Sequence, residues 1–234
     1  MSRLLLGLPS KGRLQAEAVA WFARRGIEIA REGDAREYAA SARGLEGLDV
    51  VMLAAAEIPR ELAAGRLHLG VTGEDLIREE LPGHEAQVRM AASMGFGHAD
   101  LVVAVPAAWV DVETMHDLDE AAHEFRRRHG RRLRIATKYH NLARAFLRGA
   151  GVADYRLVDS QGATEAGPKN LTAEAIIDIT TSGATMRANH LRALEDGLIL
   201  RSQAMLCVSR TALWEGEAEA VLAALEARLD QPAA

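Results

Sequence analysis

The chain has 234 residues, of which 49 % are hydrophobic and 26 % charged, and a net charge of −5. This composition is that of an ordinary globular protein with one large or two small domains, and the acidic balance argues against a general nucleic-acid binder. The single cysteine, Cys207, excludes an intrachain disulfide framework. Because no signal peptide is visible and no apolar run approaches the roughly 20 residues that span a bilayer, we expect a cytoplasmic protein without membrane segments.

Strand-like apolar runs alternate with helix-like runs along the chain. The predicted strands cover residues 3–8, 49–53, 67–71, 100–105, 133–136, 155–159, 175–179 and 202–210. The predicted helices cover residues 14–25, 58–64, 115–128, 142–149, 186–194 and 215–229. This alternation predicts an α/β fold with parallel sheets, whereas the mixed segment 28–48 supports no firm assignment.

We expect two α/β lobes, the first formed by residues 1–103 together with 202–234 and the second by residues 104–201. The strand at 202–210 should pair with the strand at 100–105, and the last helix should return to the first lobe. Ligands of such folds bind beyond the carboxyl ends of strands and between lobes. The candidate site therefore comprises the loops that follow strands, at 9–13, 72–75, 137–141, 161–165 and 178–185.

The most informative loop is Asp178-Ile179-Thr180-Thr181-Ser182-Gly183-Ala184-Thr185, between a strand-like and a helix-like run. Backbone N–H groups and the positive end of a helix dipole would point at one spot there, which suits a phosphate. Gly183 permits close backbone approach or a positive φ, and the Asp178 carboxylate can accept hydrogen bonds from two ribose hydroxyls. The loop predicts a site for a ribose 5-phosphate, with ordinary turn and N-cap residues as the structural alternative.

Four loops together resemble those of the ATP phosphoribosyltransferase family in order and spacing. The Asp-x-x-x-x-Gly-x-Thr pattern of 178–185 is similar to the loop that phosphoribosyltransferases use for phosphoribosyl pyrophosphate (PRPP). The other three are Leu8-Pro9-Ser10-Lys11-Gly12-Arg13-Leu14, Leu69-Gly70-Val71-Thr72-Gly73-Glu74-Asp75 and Ala136-Thr137-Lys138-Tyr139-His140-Asn141-Leu142. Residues 159–165 and 187–191 resemble the short-form branch, and with few residues after Leu229 we expect the short form, without the regulatory domain of the long form.

This resemblance implies a pentosyltransferase whose two lobes are similar to type II periplasmic binding proteins, with the substrate cleft between the lobes. The implied reaction transfers the phosphoribosyl group of PRPP to N1 of ATP and releases pyrophosphate, the first step of L-histidine biosynthesis. The resemblance also implies Mg²⁺, which we expect to be held mostly through substrate oxygens and water. The implied partner is a regulatory subunit resembling histidyl-tRNA synthetase, with a homodimer of this chain inside a hetero-octamer and histidine feedback on the complex.

The resemblance also assigns site residues. Lys11 and Arg13 are expected to grip phosphate or pyrophosphate oxygens, and Asp178 is expected to hold the ribose hydroxyls. The other expected substrate-binding residues all follow predicted strands: Asp75, Lys138, Tyr139, Glu165, Thr181, Ser182, Gly183, Ala184 and Thr185. The structural alternatives are an ordinary charged loop for Lys11 and Arg13, a helix N-cap for Asp75 and a packed ring for Tyr139. No general base is assigned, because adenine N1 is itself a nucleophile.

Several positions depart from the family pattern, and two other functions stay open, the first because of these departures and the second because of the fold. Glu57 stands where Asp is common, alanines at 54–56 stand where an Arg often occurs, and Ala184 and Met186 replace an acidic residue and a Leu. A catalytically silent subunit would bind PRPP without turnover. A non-catalytic two-lobed solute-binding module is the other alternative, since fold does not determine function. The absence of a visible signal peptide, together with Lys11, Arg13 and the 178–185 loop, favours the enzyme.

Overall fold

The computed structural model describes residues 3–31, 39–160 and 162–229. The chain divides into a first unit, Met1–Gly97 with Gln203–Ala234, and a second unit, His98–Ser202. A boundary after residue 103 would cut a strand, Ala99–Pro106, that lies whole in the second unit. The assignment of the units to two lobes around one substrate site stays a prediction.

Twelve strands and seven α-helices are present in the described ranges. The strands are β1 (Leu4–Pro9), β2 (Glu28–Arg31), β3 (Ala39–Arg43), β4 (Leu48–Leu53), β5 (Leu69–Gly73), β6 (Val88–Ser93), β7 (Ala99–Pro106), β8 (Leu133–Thr137), β9 (Tyr155–Asp159), β10 (Ala175–Thr180), β11 (Leu191–Ser202) and β12 (Ala204–Ser209). The helices are α1 (Gly12–Ala23), α2 (Ile58–Ala63), α3 (Glu74–Glu80), α4 (Met115–His129), α5 (His140–Gly149), α6 (Ala184–Ala188) and α7 (Glu217–Leu229), with 3-10 turns at His84–Ala86 and Thr164–Ala166. None of these helices combines the length and apolarity needed to cross a bilayer.

The first unit is built on a seven-stranded sheet in the order β2-β3-β4-β1-β5-β12-β6. Its central strand, β1, is an almost unbroken apolar run that pairs in parallel with β4 and β5, as expected of a strand covered on both faces. Leu4, Leu6 and Leu8 pack with α1 and α7 on one face. Leu5 packs on the other face, against a cluster that contains Ile58 and other residues of α2 and α3.

The second unit is built on a five-stranded sheet in the order β11-β7-β10-β8-β9. Strands β8, β9 and β10 are parallel, so the carboxyl ends of β8 and β10 lie at the same edge. Strand β7 runs antiparallel to both β10 and β11, so this sheet is mixed rather than parallel. The first sheet is mixed too, because β12 runs antiparallel to β5 and β6. Met186 of α6 packs against Ile176 and Ala136 on one face of this sheet.

The pairing predicted between the strands at 202–210 and 100–105 is wrong. Strand β12 pairs with β5 and β6 in the first unit, whereas β7 pairs with β10 and β11 in the second. Every residue of β12 is buried, so its apolar pattern would suit any interior position of a sheet and cannot select a partner. Cys207 of β12 is buried, as expected. Its burial raises the pKa of the thiol to about 12, which makes it a poor nucleophile.

The helix predicted over 186–194 is also wrong beyond Ala188, where α6 ends. Strand β11 begins at Leu191, and its buried residues Leu191, Leu194 and Gly197 recur every third position. Register shifts between Ala193 and Leu198 interrupt its pairing with β7. Bulges change the two-residue alternation of a strand, and the buried residues of this irregular strand therefore have a spacing that resembles that of a helix.

In the unassigned segment 28–48, β2 and β3 form a hairpin, while residues 32–38 lie outside the described ranges.

A half-buried carboxylate ties two strands of the second unit together. Glu174, just before β10, accepts hydrogen bonds from the Arg134 backbone N–H at 2.7 Å, from the Arg134 guanidinium at 2.7 and 3.2 Å, and from Arg131 at 3.2 Å. Burial would raise the pKa of Glu174, but the hydrogen bonds from Arg134 and Arg131 outweigh it and hold the pKa below its ordinary value. The ionised carboxylate therefore stabilises the folded state.

Replacing this carboxylate with an amide, Glu174→Gln, should lower the free energy of unfolding at neutral pH by about 1–3 kcal/mol. The native pKa lies below the unfolded value, so the stabilisation is complete above the unfolded pKa and is lost as the pH falls through the native pKa. Urea unfolding from neutral to acidic pH should show the difference from the wild type shrinking. Asp111→Asn is the control, because that exposed acid of the same unit should change the stability little at any pH. A deficit for Glu174→Gln that is equal at every pH would contradict the assignment.

Candidate functional site

The end of β10 and the loop after it enclose a cavity of about 310 Å³. Side chains alternate along a strand, and this alternation directs Ile176, Asp178 and Thr180 of β10 to the cavity. Its other polar lining comes from the loop and from the 3-10 turn: Glu165, Thr181, Ser182 and Thr185. The cavity therefore has an acidic and hydroxyl-rich wall at the carboxyl edge of the parallel strands.

Asp178 is the most enclosed acid of this cavity, with a side chain that is 13 % exposed. Its Oδ1 accepts the backbone N–H of Ile179 at 2.9 Å and lies 3.8 Å from Lys138 Nζ, and the Thr164 hydroxyl also hydrogen-bonds the carboxyl. Burial raises the pKa of Asp178 above its ordinary value, although Lys138, the Ile179 N–H and Thr164 offset part of the rise. The site thus holds a partly desolvated carboxylate whose few protein bonds leave it able to accept more.

The loop itself turns at Gly183, which has φ +70° and immediately precedes α6. The Gly183 N–H donates to Thr180 Oγ1 at 2.8 Å, and the Ala184 N–H makes a longer bond of 3.4 Å to Ser182 Oγ. Two of the loop amides are therefore bonded by hydroxyls of the same loop. An anion entering the loop would take over these amides, and the displaced hydroxyls could turn to donate to it. Because α6 has only five residues, the loop amides rather than a long helix dipole would carry such an interaction.

The structure brings Lys138, Glu165 and Asp178 together with Thr181–Thr185 in the second unit. Lys138 is half exposed and lies 5.3 Å from the centroid of the Tyr139 ring. Tyr139 itself is 2 % exposed, so the packed alternative holds and its ring cannot stack on a substrate in this conformation. Thr181, Ser182, Ala184 and Thr185 are exposed around the cavity.

The remaining expected residues lie in the first unit, where β1 and β5 are parallel neighbours. Lys11 and Arg13 are exposed at the start of α1, and Arg13 Nε is 3.7 Å from Glu17 Oε2. Asp75 is 7 % exposed in the first turn of α3, and its carboxylate lies so close to Gly73 that a β-carbon there would overlap it. These positions follow the carboxyl ends of β1 and β5 at one edge of the first sheet. The N-cap residue of α3 is Gly73, and Asp75 lies one residue inside the helix, so the N-cap alternative for Asp75 is wrong.

Two residues were missed from the sequence, Thr180 in the lining of the cavity and Thr164 buried behind Asp178. Thr164 is 1 % exposed and hydrogen-bonds Asp178, and Thr180 bonds the Gly183 amide. Strand alternation from Asp178 could have found Thr180, whereas the contact of Thr164 depends on the approach of a distant turn. Gln161, part of the expected loop 161–165, lies outside the described residues.

The departures at 54–57 form a local turn of the first unit. The Glu57 carboxylate accepts the Ala54 N–H at 3.1 Å, and the Glu57 N–H donates to the Ala54 carbonyl at 2.8 Å. The Thr72 hydroxyl donates to the Ala55 carbonyl at 2.8 Å. Glu57 thus closes the turn that leads into α2, and the alanines leave room for that turn beside β5.

The structure combines an α/β fold with a cavity of carboxylate and hydroxyl groups at a sheet edge. The family model HisG, described as ATP phosphoribosyltransferase, matches residues 54–231. The chain is 58 % identical to the ATP phosphoribosyltransferase of Cereibacter sphaeroides over 98 % of the chain and 97 % of that protein. It is 54 % identical to that of Nitrobacter winogradskyi over 92 % of the chain, but spans only 66 % of that longer protein. The chain therefore belongs to the ATP phosphoribosyltransferase family, as its loops predicted.

Solved structures confirm the predicted fold class. A chain of the ATP phosphoribosyl transferase (HisG:HisZ) complex from Thermotoga maritima matches with a TM-score of 0.71 at 22 % identity, over 97 % of both chains. An ancestral arginine-binding protein bound to glutamine matches with a TM-score of 0.53 at 10 % identity, over 98 % of this chain and 92 % of that one. At these identities the matches show the fold alone. The family is one of pentosyltransferases, and its reaction transfers the phosphoribosyl group of PRPP to N1 of ATP in the first step of L-histidine biosynthesis.

Proposed function

We propose that this chain carries out the family reaction and that the cavity beside Asp178 binds the ribose 5-phosphate part of PRPP. The proposal rests on the Asp178 carboxylate, which is largely shielded from solvent and is followed in one cavity of about 310 Å³ by a hydroxyl-rich loop with a left-handed glycine. A carboxylate accepts from sugar hydroxyls, and amides and hydroxyls donate to a phosphate. The two groups stand in the order that a ribose 5-phosphate requires.

Each cavity residue takes a role in binding rather than in proton transfer. Asp178 accepts the two ribose hydroxyls, and the amides and hydroxyls of residues 181–185 hold the 5-phosphate. Lys138, beside Asp178, offers its ammonium to an anionic oxygen of the substrate, and Glu165 orients the ribose or a water. Catalysis then rests on positioning the reactants and stabilising the leaving pyrophosphate, with adenine N1 as the nucleophile.

Lys11 and Arg13 of the first unit are proposed to grip phosphate or pyrophosphate oxygens. Both are exposed after the carboxyl end of β1, where ligands of α/β sheets bind. The guanidinium of Arg13 offers paired donors, and the ammonium of Lys11 a compact charge. Asp75 is proposed to orient the adenine or its ribose from the first turn of α3.

Mg²⁺ is proposed to enter with PRPP. Among the described residues, no group of three or more His, Cys, Asp or Glu side chains could hold a metal ion, so we assign it no direct ligand from this chain. Glu165 lines the cavity and can hydrogen-bond a metal-bound water. This donor set fits an ion held mainly by substrate oxygens and water, as Mg²⁺ often is, and the ion would offset the charge of the leaving pyrophosphate.

We further propose that the chain acts as a short-form catalytic subunit in the cytoplasm. The related Thermotoga maritima structure is that of a HisG:HisZ complex, which supports a regulatory partner that resembles histidyl-tRNA synthetase. A homodimer within a hetero-octamer is the proposed assembly. Histidine feedback is proposed to act through the partner, and inhibition of the isolated chain by histidine would contradict that placement.

The test follows conversion of ATP and PRPP to the N1-phosphoribosyl adduct by its ultraviolet absorbance. The chain is assayed alone, with its regulatory partner, and as Asp178→Ala, which should lose roughly 10²–10³-fold in kcat/KM because charged hydrogen bonds to two hydroxyls are removed. Asp111→Ala, an exposed acid of the same unit, is the control and should retain activity. PRPP binding without turnover, even with the partner, would favour a silent subunit, and absence of PRPP binding would overturn the proposal.

A further inference from the structure

Two hydroxyl side chains form a short chain behind the Asp178 carboxyl. Ser160 Oγ donates to Thr164 Oγ1 at 2.8 Å, and the Thr164 hydroxyl hydrogen-bonds Asp178. Thr164 is 1 % exposed, so its hydroxyl is closed off from solvent and from the substrate. None of the roles proposed above involves Ser160 or Thr164.

The direction of these hydrogen bonds follows from their chemistry. An ionised carboxylate only accepts, and a hydroxyl has one proton to donate. Thr164 must therefore donate to Asp178, and its oxygen is then available to accept from Ser160, which is the direction found. Two hydroxyls donating in sequence polarise each other toward the carboxylate. The arrangement favours the ionised form of Asp178, the form that ribose hydroxyls need as an acceptor.

Backbone hydrogen bonds hold both hydroxyls in place. The Ser160 N–H donates to the Thr137 carbonyl at the end of β8, at 3.1 Å. The Thr164 N–H donates to the Gly162 carbonyl at 3.0 Å, and the Thr164 carbonyl accepts the Gly167 N–H at 3.0 Å. These bonds fix Ser160 to the end of β8 and close the turn Thr164–Ala166 on itself. Because a buried hydroxyl without a partner is costly, Thr164 has little freedom to turn away from Asp178.

We propose that Thr164, supported by Ser160, is a positioning residue that holds the Asp178 carboxylate in the orientation in which it accepts the ribose hydroxyls of PRPP. The inference rests on the proposed function, since it assigns Thr164 a role only through Asp178. The charged groups that act on the Asp178 carboxyl are Lys138 and Glu165, and both remain in the variants below. Loss of the Thr164 hydroxyl therefore removes its hydrogen bond to Asp178 and the acceptor of the Ser160 hydroxyl, and it leaves the charges in place.

The experiment measures PRPP binding to the full chain by calorimetry, with Mg²⁺, from neutral to acidic pH. Thr164→Val keeps the shape of the side chain without the hydroxyl and should weaken PRPP binding about tenfold, the effect of losing one hydrogen bond to a charged group. That hydrogen bond lowers the pKa of Asp178, so in Thr164→Val the loss of PRPP affinity on acidification should begin at a higher pH. Thr164→Ser, which restores the hydroxyl, should recover both the affinity at neutral pH and the pH at which affinity is lost.

The outcomes separate this inference from the proposed function. If the wild type does not bind PRPP, the proposed function fails. If the wild type binds, Asp178→Ala loses binding and Thr164→Val matches the wild type at every pH, the inference alone fails. If Thr164→Val weakens binding by the same factor at every pH and Thr164→Ser does not recover it, Thr164 serves only the fold, which also overturns the inference. Unfolding midpoints of the variants show which of them are folded during the titration.

Discussion

Asp178→Asn should reduce kcat/KM for PRPP by roughly 10²–10³-fold while raising the free energy of unfolding at neutral pH by about 0.5–2 kcal/mol. The substitution keeps the size of the side chain but removes the charge that makes Asp178 a strong acceptor for ribose hydroxyls. The same charge is costly in the unliganded fold, because burial raises the pKa of the carboxyl more than Lys138, the Ile179 amide and Thr164 lower it. Function and stability should therefore change in opposite directions.

The stability gain should depend on pH with a definite sign. The native pKa of Asp178 lies above its unfolded value, so between the two values the native state binds the proton more tightly than the unfolded chain. Stability of the wild type falls as the pH rises through this window, and the full cost of the charge is present above the native pKa. The advantage of Asp178→Asn should thus be complete at neutral pH and disappear below the unfolded pKa of aspartate.

Steady-state kinetics of the complex and urea unfolding of the chain test the two halves of this prediction. Asp111→Asn, an exposed acid in the same unit, is the matched control and should alter neither quantity appreciably. Near-wild-type turnover by Asp178→Asn would remove Asp178 from the substrate site. If Asp178→Asn lost turnover and was also less stable than the wild type, the contacts of the carboxylate would stabilise the fold by more than its desolvation costs.

Local patterns predicted the secondary structure of this chain better than the pairing of its strands. Apolar runs such as β1 identify strands because burial on both faces leaves a continuous signature. The position of β12 depends on which sheet it joins, and a fully buried strand contains no information about its neighbour. The same limit applies to the site: Asp178 and Gly183 follow from the loop sequence, whereas the bond from Thr164 to Asp178 arises only when a separate turn packs beside β10.

The burial of Tyr139 is another property that depends on the folded chain. Its loop position is compatible with a ring that faces a substrate or a ring that packs inside, and the sequence left both open. In the structure the Tyr139 N–H donates to Thr137 Oγ1 at 2.9 Å, and the ring is 2 % exposed. Lys138, the preceding residue, instead carries the functional group toward Asp178.

Gly44→Ala should be the most destabilising small substitution in the first unit. Gly44 has φ +89°, and a β-carbon there would overlap the carbonyl oxygen of Gly26, which is a backbone atom and cannot turn aside. The Arg228 guanidinium of α7 donates to the Gly44 carbonyl at 2.7 Å and to the Gly26 carbonyl at 3.4 Å. A backbone shift that relieved the overlap would therefore disturb these bonds. We expect a loss of about 3 kcal/mol or more in the free energy of unfolding, or roughly 6–12 °C in Tm.

Gly83→Ala separates backbone strain from steric overlap. Gly83 has φ +74°, close to that of Gly44, but a β-carbon there would meet no atom within 4 Å. Its replacement should cost only the left-handed conformation of a residue with a β-carbon, about 1–2 kcal/mol. Urea unfolding followed by fluorescence reports on both variants, because Trp21 and Trp214 belong to the first unit. Equal losses for the two variants would show that the backbone conformation alone sets the cost, whereas a larger loss for Gly44→Ala locates the difference in the contact between the Gly26 and Gly44 backbones.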